Sequence, residues 1–154
     1  AAVRIPVVAN GDIDSPQKAA RVLAATGADA LMIGRAAMGR PWLFREIGHF
    51  LQTGAELPSP AVAEVRNALL RHLNDHYRLY GEYTGVRNAR KHINWYVASL
   101  PGGSLLRQRV NTMESATEQT QAVDAFFAGL QEAHARLPHP CATPSQEQAL
   151  LLAA

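Results

Sequence analysis

Two short apolar runs near the N-terminus, each followed by a glycine-containing polar turn, constrain the fold of this chain more than any other feature. Residues 4–9 form the first run and are followed by Asn10-Gly11-Asp12, whereas residues 30–33 form the second and are followed by Gly34-Arg35. The first run, residues 4–9, does not alternate clearly, which is typical of a strand buried on both faces of a parallel sheet. An amphipathic helix from 15 to about 26 is predicted between them, so the three elements form a βαβ unit.

The residues that follow the two strands are suited to binding a phosphate group. Gly11 and Gly34 allow the main chain to come within hydrogen-bonding distance of a ligand, and Arg35 offers a forked donor. Asn10 and Asp12 are expected at the mouth of the site, near a ribityl chain or its hydroxyls. The N-terminus of a short helix near 36–40 would add dipole attraction for an anion.

This arrangement favours the C-terminal end of a (β/α)8 barrel, where the loops after strands 7 and 8 commonly hold a phosphate. Either string alone is more often an ordinary turn or strand end, but both occur in one βαβ unit. The first strand begins within four residues of the start of the chain. We therefore expect the chain to be the C-terminal part of a larger flavin enzyme.

The rest of the chain has a helical pattern. A helix is predicted over 42–52, and Pro58 and Pro60 mark a linker. Beyond the linker, four helices are predicted over 61–80, 84–100, 104–111 and 115–135, with Gly81 separating the first two. The predicted fold is thus an α/β remnant of a TIM barrel (1–55), an all-α helical bundle domain (56–136) and a disordered tail (137–154).

Composition describes a globular protein, with 47% hydrophobic and 18% charged residues among 154. The sequence has no apolar run of the roughly 20 residues that a membrane span needs. Its single cysteine, Cys141, excludes an internal disulfide and fits a reducing cytoplasm; we interpret it as an incidental thiol. His72 and His76 share a helix face, but no third ligand follows in the sequence, so they are predicted to be solvated and no metal site is expected.

Positive charge is concentrated between residues 66 and 109, where eight basic residues stand against two acidic ones, a net +6. On a helix, Arg87 and Lys91 share one stripe, with Arg90 close by, and such a row is suited to RNA phosphates. The alternative is an ordinary solvated face. Trp95 and Tyr96 are more often packing residues than base platforms, and His92 is more often structural than an acid or base.

Three strings resemble one family closely: IPVVANGDI (5–13), TGADALMIGRAAMGRPWLF (26–44) and RNARKHINWY (87–96). They are similar to bacterial tRNA-dihydrouridine synthases, most of all the B-type enzymes, over about residues 4–130. The resemblance implies an FMN-dependent cytoplasmic oxidoreductase that uses NAD(P)H to reduce the C5–C6 bond of specific tRNA uridines and is monomeric when full length.

By the same resemblance, Asn10, Gly11 and Asp12 would form one FMN-binding segment, and Gly34 with Arg35 the phosphate-binding one. Arg87, Arg90 and Lys91 would contact tRNA. The family's proton-donating cysteine lies upstream of these strands, so no catalytic residue is assigned in this chain. We expect the chain to be inactive and poorly soluble by itself.

Two other hypotheses about function remain open at this point. The first is an autonomous, non-catalytic RNA-binding helical module over about 60–135. The second is a different FMN-dependent barrel oxidoreductase with an unrelated helical extension, although a small-substrate enzyme has no use for such a basic module.

Overall fold

In the computed structural model, which describes residues 3–138, the chain is mostly helical and carries a small parallel sheet. The elements follow in the order β1 (Val8–Asn10), α1 (Pro16–Thr26), β2 (Ala30–Met32), a single 3-10 turn (Arg35–Ala37), α2 (Leu43–Thr53), α3 (Val62–Val97), α4 (Gly103–Thr112) and α5 (Ala116–Ala133).

The predicted βαβ unit is present, with β1 and β2 paired in parallel so that Val8 lies opposite Ala30. Its helix has the predicted ends. The Ser15 hydroxyl accepts a hydrogen bond from the Lys18 amide at 3.3 Å, and Gly27 adopts the left-handed conformation at φ 63°.

The prediction that residues 4–9 form a strand buried on both faces is wrong for the described part of the chain. Each strand has three residues, and Val8 is 51% exposed. Ile5 is 72% exposed and lies before β1, so the first strand is also shorter than predicted. The reason is that β1 and β2 pair with each other alone in residues 3–138, and no second layer covers their outer surface.

Two apolar clusters organise the packing. The smaller one lies between α1 and α2 and consists of Ile13, Ala19, Leu43 and Ile47. The larger one is built by α3, α4 and α5, and its fully buried residues include Leu69, Ile93, Val110, Val123 and Phe127. Trp42, just before α2, packs against the larger cluster and so connects the two parts.

The predicted break at Gly81 is confirmed. This residue has φ 70° and ψ 174° inside α3, a combination outside the helical region that suits glycine. The halves 62–80 and 82–97 fold back on each other. As a result, the ring centroids of His72 and His92 lie 4.7 Å apart. Sequence positions separated by a whole hairpin thereby become neighbours.

The segment after α5 returns to the start of α3. Ala61 and Arg136 form an antiparallel bridge, and Leu137, 9% exposed, donates its amide proton to Pro60 O at 3.0 Å. Position 137, placed in the predicted tail, is thus packed against the helices, whereas 139–154, including Cys141, lies outside the described residues. No helix within 3–138 has the length and apolarity to cross a membrane.

Candidate functional site

The turns that follow β1 and β2 line one open cleft of about 1140 Å³. Parallel strands end at the same edge of a sheet, so the two turns meet there. The cleft contains all five residues predicted to bind the cofactor: Asn10, Gly11, Asp12, Gly34 and Arg35. It also contains Lys18, which sequence reasoning missed although its position in the first turn of α1 places it at this edge.

The backbone at the cleft leaves room for a ligand. A Cβ built on Gly11 or on Gly34 would have no neighbouring atom within 4 Å, so the space in front of both residues is open. Gly11 has φ 155°, and Asp12 has φ 43°, a positive value that is uncommon for a residue with a side chain. The turn after β1 therefore has an unusual conformation at the residues that face the cleft.

Arg35 is paired with a carboxylate on the surface of the cleft. Its Nη2 lies 2.6 Å from Oδ1 of Asp12, and the two side chains are 82% and 74% exposed. The remaining N–H groups of the guanidinium have no protein partner in the part of the chain that is described. The cleft thus offers donors for an anion beside carboxylate oxygens that can accept from hydroxyl groups.

The short helix expected near 36–40 is a single 3-10 turn, Arg35–Ala37. Three residues align too few peptide units for a substantial macrodipole. The cationic side chains that line this cleft are Arg35 and Lys18, and Lys18 is paired with Asp14 at 3.8 Å.

The second half of α3 carries the predicted RNA-binding cations, and their surroundings differ. Arg87 lies 3.8 Å from the ring centre of Tyr83 and 2.6 Å from a carboxylate oxygen of Glu114. Arg90 also contacts Glu114, at 2.7 Å, and its side chain is 23% exposed. Lys91 is exposed and forms no ion pair within residues 3–138.

The two aromatic residues that follow these cations are also placed differently. Tyr96 is 7% exposed and belongs to the larger apolar cluster, which confirms the packing role predicted for it. Trp95 is 38% exposed, and its ring lies 5.1 Å from that of His92. The exposed part of Trp95 therefore lies on the same side of the helix hairpin as the histidines.

The prediction that His72 and His76 lack a third partner is wrong. His92, from the other half of α3, completes a group whose ligand atoms all lie within 4.8 Å of one another. Burial is the main cause that lowers the pKa of His92 to about 4, and the neighbouring His72, His76 and Lys91 lower it further. Burial also lowers the pKa of His76. The sequence signal that was missed is a His-x-x-x-His pair followed by a hairpin break and a third histidine.

Comparison with known proteins points to one family across most of the chain. The profile described as "Dihydrouridine synthase (Dus)" matches residues 1–132. The tRNA-dihydrouridine synthase B of Pseudomonas aeruginosa is 54% identical over 127 residues, which are 82% of this chain and 38% of that protein. The proteins of the same name from Xanthomonas axonopodis pv. citri (55% over 130 residues, 84% and 39%) and Vibrio cholerae (51% over 127 residues, 82% and 39%) are similar to a comparable extent. The chain spans about two fifths of the length of these curated relatives.

Proposed function

Because the chain belongs to the dihydrouridine synthase family, we propose that it is the C-terminal part of a B-type tRNA-dihydrouridine synthase. The whole enzyme reduces the C5–C6 bond of tRNA uridines with FMN as cofactor and NAD(P)H as reductant. The profile match runs through both the βαβ unit and the helices that follow it, which argues against a barrel of another family with an unrelated helical extension.

The observation that carries this proposal is the meeting of the two glycine turns and Arg35 in one cleft. The family is generally flavin-dependent, and FMN, when bound, supplies the hydride. The open space before Gly11 and Gly34 lets main-chain amides approach its phosphate, and Arg35 and Lys18 are the cations that would balance the phosphate charge. Asp12 orients the Arg35 guanidinium, and Asn10 provides an amide for the ribityl hydroxyls.

The helical part is proposed to hold the tRNA. The net charge of +6 between 66 and 109 supplies the attraction for phosphates. Lys91 and Arg87 carry part of this charge on an exposed face of α3. In this assignment residues 1–55 belong to the barrel and 56–136 to the tRNA-binding domain. No residue of this chain is assigned as the proton donor for uridine C5, and we propose that this donor lies in the remainder of the enzyme.

An exchange of segments tests the proposal. The 127-residue segment of the Pseudomonas aeruginosa relative would be replaced by the matching segment of this chain, a conservative change at 54% identity. We expect the purified chimera to retain flavin, measured by its absorbance, and to restore dihydrouridine to tRNA in a strain that lacks the relative. A folded chimera without flavin would contradict the cleft assignment. A flavin-loaded chimera that restores no dihydrouridine would contradict the tRNA assignment.

A further inference from the structure

The hairpin of α3 brings together three imidazoles, none of which is assigned to FMN or tRNA binding. His72 and His76 lie one turn apart on the first half, and His92 reaches them from the second. The ring centroids of His76 and His92 are 5.2 Å apart, and those of His72 and His92 are 4.7 Å apart. The group is therefore a local cluster on two facing helix segments.

One buried nitrogen atom of this cluster has no hydrogen-bond partner within the described residues. This atom is Nε2 of His76. A buried polar atom without a partner costs about 1–3 kcal/mol, so such atoms are uncommon unless something else satisfies them. An imidazole nitrogen can be satisfied by a metal ion as well as by a proton donor.

We propose that His72, His76 and His92 bind a divalent transition metal ion of the Zn²⁺ class and that this ion fastens the two halves of α3 together. Imidazole nitrogens suit Zn²⁺, which binds three histidines with an open fourth position for water. Neither flavin nor tRNA is needed for this ion to bind.

The distances fit this ion after small side-chain movements. Two nitrogens bound to tetrahedral Zn²⁺ at about 2.0–2.1 Å lie about 3.4 Å from each other. The ligand atoms lie within 4.8 Å of one another, and rotations about the histidine side-chain bonds would have to shorten these separations when the ion binds. Lys91 is the nearby cation, and its exposed, flexible stem allows the ammonium group to turn toward solvent.

The test uses the 154-residue chain without a polyhistidine tag, with Cys141→Ser to remove the thiol, after treatment with a chelator. Zn²⁺ is titrated by calorimetry, and the thermal midpoint is followed with and without the ion. We expect one Zn²⁺ per chain with micromolar or tighter affinity and a higher midpoint, since ligands that bind the folded state stabilise it. His76→Asn and His92→Asn should each weaken binding at least about 100-fold, and the exposed control His134→Asn should not.

Co²⁺ provides a second measurement on the unsubstituted cluster, so the test does not depend on whether the histidine variants fold. The visible ligand-field bands of a four-coordinate nitrogen and oxygen site are expected. Absence of saturable Zn²⁺ binding up to millimolar concentration would overturn the proposal. A six-coordinate Co²⁺ spectrum, or unchanged affinity in a folded His92→Asn variant, would overturn it as well.

Discussion

Arg90 lies 2.7 Å from a carboxylate oxygen of Glu114 through its Nη2 atom, and the same nitrogen donates to the carbonyl oxygen of Met113 at 2.9 Å. Arg87 contacts the other oxygen of Glu114 at 2.6 Å. These contacts join the second half of α3 to the loop before α5. Arg87 and Arg90, two of the three cations predicted from the sequence to contact tRNA, therefore also join parts of the fold, whereas Lys91 forms no ion pair within residues 3–138.

This difference predicts separate effects for two substitutions in the chimera. Lys91→Ala should weaken tRNA binding and lower the slope of log affinity against log salt by about one, with an unchanged free energy of unfolding. Arg90→Ala should lower the free energy of unfolding by about 1–3 kcal/mol, because its partners lose charged hydrogen bonds. Filter binding at several salt concentrations and urea denaturation measure the two effects. An unaltered slope for Lys91→Ala would mean that this face points away from the RNA.

Arg35→Ala in the same chimera should weaken flavin retention. The lost charged hydrogen bonds to the phosphate correspond to about 1–3 kcal/mol, or roughly 5- to 150-fold in affinity. Arg21→Ala is the matched control, since Arg21 is exposed on α1 and does not line the cleft. Flavin fluorescence during dialysis measures the difference. Equal flavin content in the two variants would show that Arg35 does not hold the phosphate.

Gly39 should be intolerant of any side chain. Its Cβ would lie 2.4 Å from the carbonyl carbon and oxygen of Trp95, where the loop before α2 crosses α3. Gly39→Ala should therefore lower the free energy of unfolding by about 2–4 kcal/mol, from the clash and the left-handed backbone together. Gly54→Ala has nearly the same φ, 72° against 71°, but no atom within 4 Å, so about 1 kcal/mol is expected. Denaturant unfolding of both variants separates the cost of the clash from the cost of the backbone conformation. Equal losses of unfolding free energy in the two variants would contradict a clash at Gly39.

Local chemistry made much of this fold predictable. The hydroxyls of Ser15 and Ser115 accept amide hydrogen bonds at the starts of α1 and α5, whereas Gly27 and Gly81 end or break a helix through positive φ. All of these effects act over a few residues. The strand lengths were not predictable in this way. Burial of a strand depends on neighbours that are distant in sequence, and Val8 lacks them here.

The cleft and the histidine cluster also differ in how far local sequence predicts them. The cleft could be predicted because Gly11 and Gly34 follow strands of one βαβ unit, whose geometry brings their ends together. The histidine cluster was missed, because His92 meets His72 only through the packing of two helix halves, and that contact is found only when the break at Gly81 is considered together with the third histidine. A pattern search along one helix recognises spacings of three and four, not contacts across a hairpin.

Gln119 is a further residue that only packing reveals. Its side chain is fully buried, and its Nε2 donates to the carbonyl oxygens of Val86 at 3.2 Å and Val110 at 3.3 Å. Its Oε1 accepts from the hydroxyl of Tyr77 at 2.8 Å. One amide thus connects α5 to α3 and α4 in the middle of the larger apolar cluster.

Gln119→Met should therefore lower the free energy of unfolding by roughly 2 kcal/mol, since it leaves buried polar groups without their partner. Tyr77→Phe removes the other member of one bond, and the double variant should reveal a coupling of about 1 kcal/mol. Burial raises the pKa of Tyr77 to about 12, so the phenol stays a donor throughout the accessible pH range. Additive effects of the two substitutions in urea denaturation would contradict a direct bond.

The histidine cluster predicts how stability depends on pH in metal-free buffer. The pKa of His92 falls from 6.5 to about 4, first through burial and then through the nearby charges of His72, His76 and Lys91. Below pH 6.5 the unfolded chain therefore takes up a proton that the folded chain resists. The stability that depends on neutral His92 is fully present above pH 6.5, and it is lost as pH falls toward 4.

We expect the free energy of unfolding of the unsubstituted chain to fall more steeply between pH 6.5 and 4 than that of His92→Asn. Carboxylates also titrate in the lower part of this window, but they are common to both proteins and cancel in the comparison. The exposed His134→Asn variant, altered outside the cluster, should follow the unsubstituted chain. Urea denaturation at intervals of pH, with a chelator present, measures the three curves. Parallel curves for the unsubstituted chain and His92→Asn would show that His92 takes up its proton as readily in the folded state as in the unfolded one.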